Sequence, residues 1–170
     1  MATTLEAPVS SEREDAVTAD LKKLRDFIAH GAPGAHYYVV LLGLQVFDLT
    51  RIMDTVQRGL SYTTLERFHR NTAWPSNEIT EWLQISPRVL TRRKQQGRLT
   101  PDESDRLLRA SRIFAKTIEL FEGDRDAAAT WLTSPQHALG GGIPIDFAKT
   151  DIGSREVENI IDRLEHGVYS

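Results

Sequence analysis

Residues 86–103, SPRVLTRRKQQGRLTPDE, leave the chain little conformational choice. Ser86 precedes Pro87 and Thr100 precedes Pro101, so a capping hydroxyl twice stands before a proline at the first helical position. Between them Gly97 supplies the positive φ at which a helix stops. Thr100 and Glu103 also have the spacing of a capping box. The segment therefore predicts a helix over 87–96, a sharp stop, and a second helix from 101. That second helix carries Leu107, Ala110, Phe114, Ile118 and Phe121 at three- and four-residue spacing, one apolar stripe, and ends near Gly123.

The flanking segments carry the same punctuation. LTRIMDTVQRG reads as a helix closed by Gly59, TTLE at 63–66 as a capping box, and Pro75-Ser76 as the restart before NEITEWLQI. A short helix is expected through DLKKLRDFIAH, stopped by Gly31 and Pro33. The apolar run 37–47, YYVVLLGLQVF, fits a strand or a buried helix, and its length does not arbitrate. After Gly123 come DRDAAATWLTSP, a glycine loop, IPIDFAKT and SREVENIIDRLEHG, the last with Val157, Ile160, Ile161 and Leu164 on one face. Trp131, spaced helically from Ala127 and Ala128, reads as core. No internal repeat is present, and the fold class is mainly α.

The chain has 170 residues and no cysteine, which excludes a disulfide framework and thiolate metal sites. Its first 20 residues are acidic and polar, the pattern of a mobile tail rather than a signal peptide. The longest apolar run is too short to span a bilayer, so the expectation is a cytoplasmic protein with no membrane partner. The net charge of −3 hides an asymmetry. Residues 61–123 hold 11 basic and 8 acidic side chains, whereas residues 124–170 hold 4 and 8. A basic middle and an acidic end suggest two surfaces with different partners.

The basic middle has a specific shape. EITEWLQISPRVLTRRKQQGR reads as two short amphipathic helices joined by a turn of three or four residues, with Ile79, Leu83, Ile85 and Leu90 filling their crossing. This is a helix-turn-helix. Its second helix would expose Arg88, Thr91, Arg92 and Gln95 on one face. The window 84–98 holds five cations and no acid. A recognition helix needs forked donors and short hydroxyls to reach base edges, here Arg88, Thr91 and Arg92. Arg93, Lys94 and Arg98 would serve phosphates, with Ser86 and the helix N-terminus adding donors. Because one such unit reads only a few base pairs, a homodimer or higher assembly is expected on operator DNA. A solvated basic face on a helical bundle is the plainer reading of the same charges.

ISPRVLTRRKQQGRLTPDESDRLLRASRIF followed by AAATWLTSPQHALGGGIPIDFAKTDIGSREVENIIDRLEHGVYS resembles the Xre/MbcA/ParS antitoxins of type II toxin–antitoxin systems. The motifs are R-R-K, E-S-D-R-L-L-R, W-L-x-x-P, L-G-G-x-x-P, T-x-x-G and the terminal G-V-Y, covering roughly residues 50–170. The resemblance implies an Xre-like helix-turn-helix domain followed by a small helical toxin-binding domain, with boundaries read as 1–35 tail, 36–123 and 124–170. It also implies a RES-type partner that consumes NAD, or a related ADP-ribosylating enzyme, neutralised at or near its active-site opening. A stand-alone transcription regulator with an oligomerising C-terminal domain is the competing reading.

The triple glycine 140–142 does not bind a nucleotide on this reading. It lacks the lysine and Ser/Thr of a phosphate-binding loop, follows a helix rather than a strand, and has no G-x-G-x-x-G. Positive φ at a helix end, with Pro144 opening the next short helix, accounts for it. The five histidines are scattered, and Asp102 and Glu103 occupy a helix first turn where negative charge is favoured. The expectation is no enzyme, no metal, no cofactor and no small-molecule substrate. The terminal residues Glu165, His166, Gly167, Val168, Tyr169 and Ser170 end on an apolar residue and a tyrosine. Tyrosine is a low-entropy anchor with a polar tip. This tail, with the surface around Pro144, Ile145 and Gly153, is the expected toxin contact.

Overall fold

A computed structural model describes residues 22, 23, 26, 37–44 and 48–167. The expected tail and most of the helix over 20–30 lie outside them. Among the described residues the protein is built from eight α-helices and no strand. They are α1 (Leu49–Arg58), α2 (Tyr62–Thr72), α3 (Ser76–Trp82), α4 (Pro87–Gln96), α5 (Pro101–Leu120), α6 (Arg125–Thr133), α7 (Pro144–Phe147) and α8 (Asp151–Glu165).

The long helix α5 is the pivot. Leu107, Ala110, Ile113, Phe114, Ala115 and Ile118 are all buried, and they are spread over more than one face. Helices α1, α2, α6 and α8 all pack on it. Such a helix buries polar positions too, and its buried hydroxyls are hydrogen-bonded. Ser104 Oγ donates to the Thr100 carbonyl (2.7 Å) and accepts from Leu60 N–H (2.7 Å). Thr117 Oγ1 donates to the Ile113 carbonyl (2.8 Å). An aromatic cluster closes the N-terminal half, with Trp74 edge-on to Trp82 at 5.1 Å and Phe68 edge-on to Phe114 at 6.3 Å.

Of the apolar run at 37–47, residues 37–44 form neither a strand nor a regular helix, and 45–47 lie outside the described residues. Residues 37–40 form a 3-10 turn against α5, and Tyr38 through Leu42 are buried. Asn71 Nδ2 donates to the Leu41 carbonyl (3.0 Å), satisfying a buried acceptor that a strand would have paired in a sheet. Helix α2 begins at Tyr62 rather than after Thr63, and Ser61 is its N-cap with no side-chain cap bond. The reason is non-local. Tyr62 N–H donates to the Gly97 carbonyl (2.9 Å) and Leu99 N–H to the Leu60 carbonyl (2.8 Å), so a two-rung pairing sets the start of the helix.

The caps at 86–103 form as the sequence dictates. Ser86 Oγ accepts from Val89 N–H at 3.4 Å, Gly97 closes α4 at φ 70°, and Thr100 and Glu103 make a reciprocal capping box. In the glycine loop Gly141 takes φ 87°, while Gln136 and Gly142 pair as an isolated bridge. A Cβ at Gly142 would lie 2.3 Å from the Phe147 ring, so that position needs the close approach.

Helix α2 ends on Ala73, an exposed residue held left-handed at φ 55°. Ala73→Gly removes the Cβ clash of that conformation and is expected to stabilise the fold by about 0.5–1 kcal/mol. Urea denaturation of the two proteins checks this; an unchanged or lowered midpoint contradicts it.

Candidate nucleic-acid interface and C-terminal contact surface

Helices α3 and α4 cross over a turn whose geometry is a Schellman motif. Gln84 sits at φ 53°, its N–H donates to the Glu81 carbonyl (3.0 Å), and Ile85 N–H donates to the Thr80 carbonyl (2.8 Å). Ile79, Leu83 and Ile85 are buried, and Val89 and Leu90 pack against the core from α4. With those side chains inward, the 3.6-residue period turns Arg88, Thr91, Arg92 and Gln95 to solvent. Ser86 and Lys94 are exposed as well. Thr91 Oγ1 donates to the Pro87 carbonyl (3.1 Å), which leaves its lone pairs outward.

The two other cations assigned to phosphates are held by the protein. Arg93 Nε donates to Glu103 Oε2 at 2.7 Å, with side-chain exposures of only 12% and 7%. Its Nη1 donates to Gln96 Oε1 (2.7 Å). Arg98 Nη1 donates to the carbonyls of Arg58 (2.9 Å) and Gly59 (3.3 Å), tying the end of α1 to the stretch after α4. Glu103 is the residue that sequence reasoning undervalued: one oxygen accepts both Arg93 and the Thr100 N–H (2.8 Å). Burial works to raise its carboxyl, but Arg93 and Thr100 together hold it below the ordinary value of 4.5. The bond to Glu103 in turn raises Arg93.

The C-terminal helices lean on α5 through Val157, Ile160 and Ile161, all buried. Around that apolar seam stand ion pairs from α5 to α8, Arg112 to Glu158 (2.6 Å) and Lys116 to Asp162 (2.7 Å). Pro144 and Gly153 are themselves buried, and Ile145 is half-buried. A Cβ at Gly153 would lie 1.9 Å from the Phe147 carbonyl oxygen, so this glycine lets α8 start against the end of α7. Glu165, His166 and Gly167 are exposed, and His166 Nδ1 donates to the Asp162 carbonyl (2.7 Å). Val168, Tyr169 and Ser170 lie outside the described residues.

Exposed apolar side chains mark a surface that sequence reading passed over. Ile152 is 83% exposed in the first turn of α8, and Phe147 is 38% exposed at the end of α7. The signal was available: Ile152 lies five residues before Val157, which on a helix places it about 140° off the buried stripe. Lys149 joins the two halves of the molecule. Its ammonium reaches Asp146 (2.8 Å) and Glu81 (2.9 Å), which raise its pKa, and its carbonyl accepts from Gln84 Nε2 (3.4 Å). Among the described residues no group of three His, Cys, Asp or Glu could hold a metal, and no helix is long and apolar enough to cross a membrane.

Residues 51–112 match the family model of the antitoxin Xre-like helix-turn-helix domain. Residues 116–167 match that of the antitoxin Xre/MbcA/ParS C-terminal toxin-binding domain. The chain is similar to a protein of Yersinia enterocolitica named antitoxin Xre, 37% identical over 130 residues, covering 76% of this chain and 88% of the relative. A second antitoxin Xre, from Photorhabdus laumondii, is 33% identical over 116 residues, covering 68% and 78%.

The Glu103 carboxyl is held below its unfolded value, so its stabilising contribution is complete above about pH 4.5 and disappears as pH falls through the folded value. Glu103→Gln is expected to cost about 1–3 kcal/mol at pH 7. The gap between the two proteins should narrow as the pH is lowered below 4.5. Urea midpoints measured from pH 7 to 3 check this; a constant gap contradicts it.

Proposed function

The chain belongs to the Xre antitoxin family, and we propose that it neutralises a RES-type toxin and represses its own operon. One observation carries the reading. A helix whose exposed cations Arg88, Arg92 and Lys94 have no ion pair among the described residues is joined through one shared core to a toxin-binding domain that exposes Ile152 and Phe147. In this reading Arg88, Thr91, Arg92 and Gln95 face base edges. Lys94, Ser86 and the N-terminus of α4 face phosphates. Arg93 and Arg98 act through the fold, Arg93 by holding α4 against Glu103. The toxin docks on the C-terminal domain, with Ile152 as an apolar anchor and Ile145 and the 165–170 segment alongside.

A single unit reads too little DNA for specificity, so the same proposal includes a dimer on a two-fold operator. Its contact is not supplied by the α5 stripe, because Leu107, Ala110, Phe114 and Ile118 are buried within one chain. Leu49 and Met53, half-exposed and four residues apart on α1, are the apolar pair available for it. Toxin occupancy of the C-terminal surface leaves the basic face of α4 open, so DNA and toxin can be held together.

Arg92→Ala is expected to relax specificity at one base pair at a cost of roughly 1–3 kcal/mol. Lys94→Ala should weaken all sequences alike and lower the salt slope by about 1. Fluorescence anisotropy on the upstream DNA of the operon separates the two; full-strength binding by Arg92→Ala removes the base-reading role.

Ile152→Glu should leave stability within about 0.5 kcal/mol, since the side chain is solvated, yet abolish rescue of cells expressing the RES-type toxin. Rescue equal to the wild type by this folded variant would exclude Ile152 from the contact. Failure of the wild-type chain itself to rescue would overturn the toxin assignment.

A further inference from the structure

A cleft of about 210 Å³ opens where α3 of the helix-turn-helix meets α7 of the C-terminal domain. Trp82, Ile143 and Ile145 give it apolar walls, and Glu78, Glu81 and Asp146 surround them with carboxylates. Among the described residues Lys149 is the one cation lining it, and its ammonium is already divided between Asp146 and Glu81. Three carboxylates therefore stand against one ammonium. The Glu78 carboxylate has no hydrogen bond or ion pair among the described residues, although Glu78 lies half-buried at the edge of the cleft.

That combination selects its occupant. The volume is below the roughly 300–1,000 Å³ of sites for drug-sized ligands, so the cleft suits one side chain. Apolar walls want an aliphatic stem, and an anionic rim with a free acceptor wants a cationic head. Arginine meets both demands better than lysine. Its guanidinium is weakly hydrated and presents several donors in a fixed fork, enough for Glu78 and for a share of Glu81 or Asp146. Arginine is also a residue type enriched among the anchors that carry protein–protein affinity.

We propose that this cleft is the socket for an arginine side chain projecting from the toxin. The proposal rests on the toxin-binding reading above and extends it. One wall is on α3 and the other on α7, so the bound arginine contacts both matched domains at once. The toxin then grips the helix-turn-helix as well as the C-terminal domain. Its guanidinium would compete with Lys149 for Glu81, one of the contacts between the two domains.

Isothermal titration of the full-length chain with a catalytically inactivated RES-type toxin tests it. Glu78→Lys should raise Kd by about tenfold or more, with a smaller rise for Glu78→Gln, because a reversed rim charge repels the incoming cation. One Arg→Glu substitution on the toxin should recover much of the loss against Glu78→Lys while weakening binding to the wild type. Ile145→Ala, which leaves the charges intact, should also weaken binding and serves should Glu78→Lys melt early. Unchanged Kd for both Glu78→Lys and Ile145→Ala, with Ile152→Glu still abolishing binding, overturns the socket and leaves the toxin reading standing. Absence of binding by the wild-type chain overturns both.

Discussion

One carboxylate oxygen of Glu103 fastens two helices. It closes the N-terminus of α5 by accepting the Thr100 N–H and fixes the rotation of α4 by accepting Arg93. The pair is nearly dry, so its geometry is restrictive. Because α5 supports both ends of the molecule, the azimuth of α4 is referred to the same axis that carries α8. Val89 and Leu90 turn Arg88, Thr91 and Arg92 outward, and the bond pins that orientation to α5.

The chain spells out elements whose cause is local. Ser86, Pro87, Gly97, Thr100 and Pro101 specify two helices because a cap or a stop needs only its nearest neighbours. The α5 stripe is legible for the same reason. The start of α2 was not legible, since it is set by a pairing with residues 97–99, three helices further along the chain. The 3-10 turn at Tyr37–Val40 was hidden because its burial comes from α5, not from its own pattern.

The candidate site divides along the same line. That Arg88 and Arg92 face outward follows from helical period once Val89 and Leu90 face in. That Arg93 and Arg98 are engaged does not, because counting charges in a window cannot tell a paired guanidinium from a free one. The exposed Ile152 could be found by asking which apolar residues fall off the stripe. The cleft between α3 and α7 could not, since its walls are separated by more than 60 residues of chain.

The two matched domains end and begin at residues 112 and 116, both inside α5. A cut there would divide one continuous helix and strip Ile113, Phe114 and Ile118 of their neighbours on either side. The helix-turn-helix domain and the C-terminal domain of this chain therefore share one helix and one core and are not separable modules. Any exchange of one domain would have to carry α5 together with what packs on it.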